Sequence, residues 1–269
     1  MSNWTEGDVS VNGIRLHYYR TCGEKPAVVM SHGITDNGLC WTHLAKALEA
    51  NYDVIMVDAR GHGQSDKPDE GYSAQDHARD LAGLIEALEL DKVSLIGHSM
   101  GGAIVGELAN MYPDCVSHLI LEDPAWFPRN DNRAHEETIK RMDDWAQSVV
   151  DRQKLSDEVV EAQVRKDNPH WHDDEIVPWV QAQKRVSPKV MQFGYTASAW
   201  WEIVPALTCP TLIISGDPEK GVVVSPELEA EIRALNPKVQ IVRLDAGHSV
   251  RRDQFEAYVA AVKDFLSQT

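Results

Sequence analysis

The sequence predicts an α/β fold in which helices flank a mostly parallel central sheet. Short, almost continuously apolar runs, typical of buried strands, alternate with amphipathic helical stretches in two blocks of the 269-residue chain. The stretch between these blocks is helical and charged and contains no convincing strand. We therefore expect a core formed by residues 1–124 and 206–269 and an all-helical cap, or lid, formed by residues 125–205.

The first block begins with a hairpin, because Asn12-Gly13 interrupts the alternating apolar stretch Asp8–Thr21. Ser73, with Asp76 three residues later, is predicted to cap a helix. The elements predicted after the hairpin are a strand at Ala27–Met30, a helix at Trp41–Glu49, a strand at Val54–Val57, a helix at Ser73–Leu90, a strand at Val93–Ile96, a helix at Ser99–Met111 and a strand at His118–Leu121.

The second block restores the same rhythm after the predicted cap. Its elements are a strand at Thr211–Ile214, a helix from Pro226, a strand at Val239–Leu244 and a helix from Asp253 to Leu266. Glycine-rich or polar clusters follow several of the predicted strands in both blocks. Ligands of open parallel sheets bind at the carboxyl ends of the strands, so these clusters should lie together around one site.

Composition excludes several classes of function. The formal net charge of −16 argues against nucleic acid or an anionic membrane as a partner. No apolar run reaches the ~20 residues of a membrane span, and the N-terminus does not resemble a signal peptide, so we expect a cytoplasmic location. The four scattered cysteines do not predict a disulfide framework. No phosphate loop or dinucleotide fingerprint is present, so we expect no cofactor.

The strongest chemical motif is Gly97-His98-Ser99-Met100-Gly101, a G-x-S-x-G nucleophile elbow. This motif needs a strand, a sharp turn and a helix in that order, so that the serine hydroxyl is exposed at the sheet edge. A predicted strand precedes Ser99 and a predicted helix follows it. Ser99 is therefore the candidate nucleophile.

A serine hydroxyl needs a general base, and His248 is the best candidate. It follows the last predicted strand in Ala246-Gly247-His248-Ser249, at the same edge of the sheet. His98 should point elsewhere, and His32 and His62 favour a structural or substrate-contact role. His170 and His172 suggest a metal site, but no further clustered ligand supports one, and we expect no metal.

The third member of the triad is a carboxylate that orients the imidazole. The loop Ser215–Gly221 offers Asp217, directly at a strand end, and Glu219 two residues later. Asp123 follows an earlier strand. We rank Asp217 first, Glu219 second and Asp123 third, and the sequence leaves the choice open.

The oxyanion of an acyl-transfer reaction needs hydrogen-bond donors. The backbone N–H of Met100, directly after the nucleophile, is one candidate. The second is the N–H of Ile34, in the loop that follows Ser31-His32-Gly33. Only the amide is used, so the apolar side chain of Ile34 is no objection.

Taken together, these motifs resemble the α/β-hydrolase superfamily. The segments that carry the resemblance are Met30–Gly33, Asp58–Asp66, Gly97–Gly102, Gly216-Asp217 and Gly247-His248. The similarity is to members with a lid, which include carboxylesterases, lactonases and carbon–carbon bond hydrolases. In that superfamily the acid often lies three residues after the strand-end glycine, and that position is Glu219 here. Serine at position 99, where dehalogenases and epoxide hydrolases carry aspartate, argues against those two activities.

The resemblance implies a serine hydrolase that cleaves small to medium hydrophobic esters through an acyl-enzyme. A lactonase, thioesterase, amidase or carbon–carbon bond hydrolase would use the same triad. Six of the eight tryptophans lie in the predicted cap, where they either line a pocket or pack the cap onto the core. Trp126 is the best candidate for substrate binding. A ligand-binding protein of low turnover on the same scaffold is the alternative from another class.

Overall fold

The central sheet has eight strands and is mostly parallel, as predicted. A computed structural model describes residues 4–127, 135–195 and 199–268. The remaining residues, which include the first three of the chain and parts of the predicted cap, lie outside this description. The strands are β1 (Thr5–Val11), β2 (Ile14–Arg20), β3 (Ala27–Ser31), β4 (Asp53–Val57), β5 (Val93–His98), β6 (Val116–Glu122), β7 (Thr211–Ser215) and β8 (Gln240–Arg243).

The strand order across the sheet is β1-β2-β4-β3-β5-β6-β7-β8. β1 and β2 form the predicted antiparallel hairpin, and β2 also pairs antiparallel with β4. At the hairpin turn, φ is 49° at Asn12 and 77° at Gly13, the positive values that such a two-residue turn requires. All other neighbouring strands run parallel, so their carboxyl ends lie along one edge of the sheet.

Helices cover the sheet, and four further α-helices lie between β6 and β7 in the described part of the chain. They are α1 (Thr42–Leu48), α2 (Ala74–Ala87), α3 (Met100–Met111), α4 (His135–Gln153), α5 (Asp157–Asp167), α6 (Asp173–Arg185), α7 (Trp200–Ala206), α8 (Pro226–Leu235), α9 (Val250–Asp253) and α10 (Phe255–Leu266). Within the described ranges, none of these helices is both long and apolar enough to span a membrane. α2 begins directly after Ser73, the predicted N-cap residue, and Ser73 and Asp76 form a reciprocal capping box.

The inner parallel strands β3, β4, β5 and β7 are buried on both faces, which explains their apolar sequences, whereas the edge strand β8 has no buried residue. Val28 and Val29 are neighbours in β3, yet they pack into two different hydrophobic clusters on opposite faces of the sheet. Burial on both faces requires apolar residues at consecutive positions rather than at alternate ones. The same strands therefore hold the loops at their carboxyl ends in defined positions.

The residues between β6 and β7, which we call the helical insertion, contain helices α4–α7 and no strand in the part that is described. The apolar side chains of α4 are only partly buried. Met142 and Val149 pack against Val190, whereas Trp145 is 37% exposed. The described part of this segment is helical, as predicted.

Candidate active site

Ser99 occupies a strained turn between β5 and α3. Its backbone has φ 54° and ψ −114°, a conformation that costs free energy for a residue with a Cβ. The turn is possible because a Cβ on Gly97 would overlap the carbonyl oxygen of Gly101, and only glycine fits there. The Ser99 N–H donates to the carbonyl of Glu122 at 2.9 Å. The elbow therefore leaves Ser99 partly exposed at the sheet edge.

His248 follows β8 and reaches the same edge. Its Nδ1 lies 2.6 Å from Oδ2 of Asp123, so the Nδ1–H donates to this carboxylate. That hydrogen bond places the ring proton on Nδ1 and leaves the lone pair on Nε2, as a general base requires. The His248 side chain is 35% exposed, whereas the Asp123 side chain is fully buried.

Asp123 directly follows β6 and is held by a complete set of donors. Oδ1 accepts from Ser215 Oγ at 2.8 Å and from the Val224 N–H at 3.0 Å. Oδ2 accepts from the Val223 N–H at 2.8 Å as well as from His248. Burial raises the pKa of Asp123, but these hydrogen bonds outweigh it, and the net pKa lies below the ordinary value. The carboxylate is therefore ionised beside the imidazole.

The preference for Asp217 as the partner of His248 is not supported by this geometry. The Asp217 carboxylate instead caps the 3₁₀ turn Pro218–Lys220, where its Oδ1 accepts from the Glu219 N–H at 2.9 Å. The Glu219 side chain is exposed. Asp123, ranked third, is the carboxylate that contacts His248. Sequence reasoning missed its supporting groups, Ser215 and the amides at 223 and 224, because they come from a distant loop.

Two backbone amides lie near the elbow and hydrogen-bond to no other described group, namely those of Ile34 and Met100. The loop that carries Ile34 packs directly on the elbow, since a Cβ on Gly33 would lie 2.9 Å from Nδ1 of His98. Met100 begins α3, where the helix dipole also favours negative charge. Both amides are therefore available to an anionic oxygen.

Comparison with known proteins agrees with this arrangement. A family model described as "Alpha/beta hydrolase family" matches residues 28–261. The chain belongs to this family. N-formylmaleamate deformylase of Pseudomonas putida is 29% identical over 268 residues, covering 97% of this chain and 96% of the relative. 2-(Acetamidomethylene)succinate hydrolase of Mesorhizobium japonicum is 30% identical over 272 residues, covering 96% and 94%.

The solved structures agree on the architecture. A crystal structure of E-2-(acetamidomethylene)succinate hydrolase matches this hydrolase with a TM-score of 0.83 and 27% identity, covering 99% of this chain and all of the other. The N-formylmaleamic acid deformylase of Pseudomonas putida S16 matches with a TM-score of 0.81 and 26% identity, covering 96% of this chain. The α/β-hydrolase fold and the general hydrolase class follow from these similarities.

Three further histidines of the hydrolase contact backbone carbonyls of the loops that form the site. His98 donates from Nε2 to the carbonyl of His248 at 3.1 Å. His32 donates from Nδ1 to the Gly33 carbonyl at 2.8 Å, and Nε2 of His62 lies 2.8 Å from the Ile34 carbonyl. Burial lowers the pKa of all three, that of His32 to about 3. Each contacts backbone in the interior, which agrees with the structural alternative.

Trp126 does not line an open pocket, contrary to the expectation from sequence. Its indole is fully buried and stacks on Trp200, with ring centroids 6.4 Å apart. It also contacts α3, since a Cβ on Gly106 would lie 3.0 Å from the indole. Trp126 therefore packs in the main hydrophobic cluster, because α7 covers the strand end that it follows.

The histidines that suggested a metal are separated in space. His170 pairs with Asp253 at 3.0 Å. His172 instead lies with His43 and Asp174, and within the described ranges these three form the only group with metal-ligand spacing, their ligand atoms within 4.8 Å of one another. Lys46 already contacts both Asp174 oxygens at 2.7–2.8 Å, and Nδ1 of His172 accepts the Asp174 N–H. Asp174 and His172 are thus already engaged by protein donors, whereas Nδ1 of His43 has no hydrogen-bond partner among the described residues.

Proposed function

We propose that this protein is a serine hydrolase that cleaves a carboxylic ester through an acyl-enzyme on Ser99. The observation that carries the proposal is the 2.6 Å hydrogen bond between His248 and the buried Asp123, at the sheet edge that carries the strained Ser99. A nucleophile on an elbow, a base with its proton on Nδ1 and an ionised orienting carboxylate are the components of acyl transfer.

In the proposed mechanism, His248 acts first as a base and then as an acid in each half-reaction. Ser99 Oγ attacks the carbonyl carbon of the substrate while His248 Nε2 accepts the hydroxyl proton. Asp123 stabilises the resulting imidazolium, and the Ile34 and Met100 amides stabilise the oxyanion. His248 then protonates the leaving alcohol, which leaves an acyl group on Ser99. Water attacks this ester with His248 again as base, His248 then returns the proton to the leaving Ser99 Oγ, and the acid and the free enzyme are released.

The loop after β3 that carries Ile34, which we call the oxyanion loop, has apolar surroundings. These favour a substrate with a hydrophobic acyl or alcohol group. The side chain of Ile34 packs against a small cluster formed by Tyr72, Met142, Val149, Val186, Val190 and Met191. All of these except Tyr72 belong to the helical insertion, so we propose that this insertion acts as the cap over the site. A small-molecule ester or lactone is the proposed substrate, and the cytoplasmic location stays a prediction.

A second candidate is the hydrolysis of an amide. Two relatives aligned along almost their whole length carry names that specify an N-formyl and an acetamido group, both small acyl groups on nitrogen. The same triad can cleave such a bond if His248 protonates the leaving nitrogen. Ester and amide cleavage therefore differ here in the leaving group and not in the machinery.

The nucleophile is tested with p-nitrophenyl acetate, butyrate and octanoate as substrates of the wild type and of Ser99→Ala. We expect turnover in the wild type and a loss of at least ~10⁴-fold in the variant. Ser94→Ala is a matched control, since Ser94 lies on the same strand and contacts Ser117. Turnover that survives in Ser99→Ala contradicts the proposal. A folded wild type that gives only a stoichiometric burst points to a ligand-binding protein.

The bond is tested with p-nitrophenyl acetate and p-nitroacetanilide, which share the acyl group and the chromophore. An ester hydrolase turns over the ester and leaves the anilide unchanged. Turnover of both, lost in both cases in Ser99→Ala, favours the amide candidate.

A further inference from the structure

Helix α6 of the helical insertion buries two polar side chains against the body of the molecule. The exposed fractions of Glu175 and Gln183 are 2% and 0%, although they lie on a charged helix. α6 packs on α1 and on the 3₁₀ turn Gly38–Trp41. Buried polar groups need specific partners, so these two residues indicate where the insertion is tied to the body.

Gln183 hydrogen-bonds to the oxyanion loop. Its Nε2 donates to the Thr35 carbonyl at 2.8 Å, and its Oε1 accepts from Arg152 Nη1 at 2.6 Å. A guanidinium can only donate, so the amide oxygen must face Arg152 and the amide nitrogen must face Thr35. The orientation of the Gln183 amide is therefore determined by its two partners.

The Thr35 carbonyl belongs to the turn that orients the Ile34 N–H. This N–H shares a peptide plane with the Gly33 carbonyl, which accepts from His32 Nδ1 at 2.8 Å and from the Asp36 N–H at 3.0 Å. Displacement of Thr35 would therefore move the Asp36 N–H and rotate the plane that carries the Ile34 N–H. Gln183 therefore holds this turn through the Thr35 carbonyl.

Glu175 ties the same turn from the other end of α6. Its Oε2 accepts from Arg252 Nε at 2.8 Å, and Arg252 Nη2 donates to Asp36 Oδ2 at 3.0 Å. Arg252 lies four residues after His248, and both arginine contacts are buried. α6 is thus connected to the oxyanion loop and to the loop of the base.

We propose that Gln183 is a positioning residue for the oxyanion hole, which makes α6 a permanent part of the active site rather than a lid that opens. This rests on the proposed function, in which the Ile34 amide stabilises the oxyanion. Loss of an oxyanion donor costs ~10²–10³ in rate, and a misplaced donor costs part of that. Without the Gln183 donor, kcat falls by about 10–100-fold while KM changes little, because the contact acts on the transition state.

The test compares variants that separate the two bonds of Gln183. Gln183→Glu keeps an acceptor for Arg152 but removes the donor to Thr35, and Gln183→Met removes both. Arg152→Met removes the contact with Oε1 and the cation–π contact with Trp179, but leaves the donor to Thr35 in place. Lys46→Met breaks the exposed ion pair between α1 and Asp174 of α6 and so controls for general docking of the helix. The readouts are kcat and KM for p-nitrophenyl butyrate, the inhibition constant of butaneboronic acid, and Tm.

We expect both Gln183 variants to lose kcat and boronate affinity by a similar factor, with KM within about threefold, as for a contact made only in the transition state. Arg152→Met and Lys46→Met should stay close to the wild type. Wild-type kcat and boronate affinity in a folded Gln183 variant overturn the proposal, and so does an equal loss in Lys46→Met. A wild type without Ser99-dependent turnover contradicts the proposed function itself, so the two failures are distinguishable.

Discussion

The buried carboxylate of Asp123 is stabilised by hydrogen bonds from protein groups. Four donors surround it: Ser215 Oγ, the amides at 223 and 224, and His248 Nδ1. Such a preorganised carboxylate favours an adjacent imidazolium without rearrangement when His248 takes a proton. It also excludes the ring tautomer that would protonate Nε2.

Asp123→Asn is therefore expected to reduce kcat by ~10⁴-fold with little change in KM, because the amide stabilises the wrong tautomer of His248. Asp217→Asn is the matched control. The new amide side chain retains the oxygen that caps the 3₁₀ turn, so kcat should stay within about twofold of the wild type, as expected for a side chain away from the reacting groups. Steady-state kinetics with p-nitrophenyl butyrate measure both. The reverse order of losses would reassign the acid to Asp217.

This contrast also shows which parts of the site are readable from sequence. The elbow can be predicted because its strand, glycines and helix lie within a few positions of Ser99. The glycines are required there because a larger side chain would clash. The contact between Asp123 and His248 joins residues 125 positions apart. The acid is the carboxylate that reaches His248 in the folded chain, and a sequence pattern does not show this contact. Nor does it show that the Asp217 carboxylate accepts from the Glu219 N–H.

Among the elements, α7 and α3 enclose Trp126, and this packing has an energetic consequence. The indole stacks on Trp200 and has no exposed surface. Trp126→Ala should therefore reduce the free energy of unfolding by about 3–5 kcal/mol, as for other large-to-small core substitutions. Urea unfolding measures this loss. Trp145→Ala is the control, because Trp145 is 37% exposed, and its loss should be below about 1 kcal/mol. A stable Trp126→Ala with a raised KM would restore the substrate-binding role.

The strands were predictable because burial on both faces leaves a continuous apolar run, as in Val93–Ile96 of β5. The insertion was predictable only as helical. Its docking depends on single polar contacts such as those of Gln183 with Thr35 and of Glu175 with Arg252. On a charged helix, neither residue differs in sequence from its solvated neighbours.

Across the whole molecule, four of the described histidines have 0–4% of their surface exposed: His32, His62, His77 and His98. Burial lowers the pKa of each, to about 3 for His32. The lowered pKa values favour the neutral form of these side chains in the folded state, whereas the unfolded chain protonates them below about pH 6.5. The unfolded state then binds more protons, so stability is complete above about pH 6.5 and is lost as the pH falls.

Each histidine whose folded-state pKa lies far below that value lowers the free energy of unfolding by about 1.4 kcal/mol per pH unit as the pH falls. Burial alone would raise the pKa of Asp36, but Arg252 and Arg251 lower it to about 2, so its loss of stabilisation begins only near pH 4.

Urea unfolding between pH 7.5 and 5 separates the contribution of the buried histidines to acid sensitivity from that of carboxylates such as Asp36. We expect stability to fall steeply within this range, and His77→Gln to reduce the slope by about one proton, or 1.4 kcal/mol per pH unit. His77 suits this test because its Nε2 has no hydrogen-bond partner in the described structure and its ring packs near Tyr72 and Phe193. A stability that stays flat down to pH 5 would mean that the interior accommodates imidazolium, and the acid sensitivity would then belong to the carboxylates.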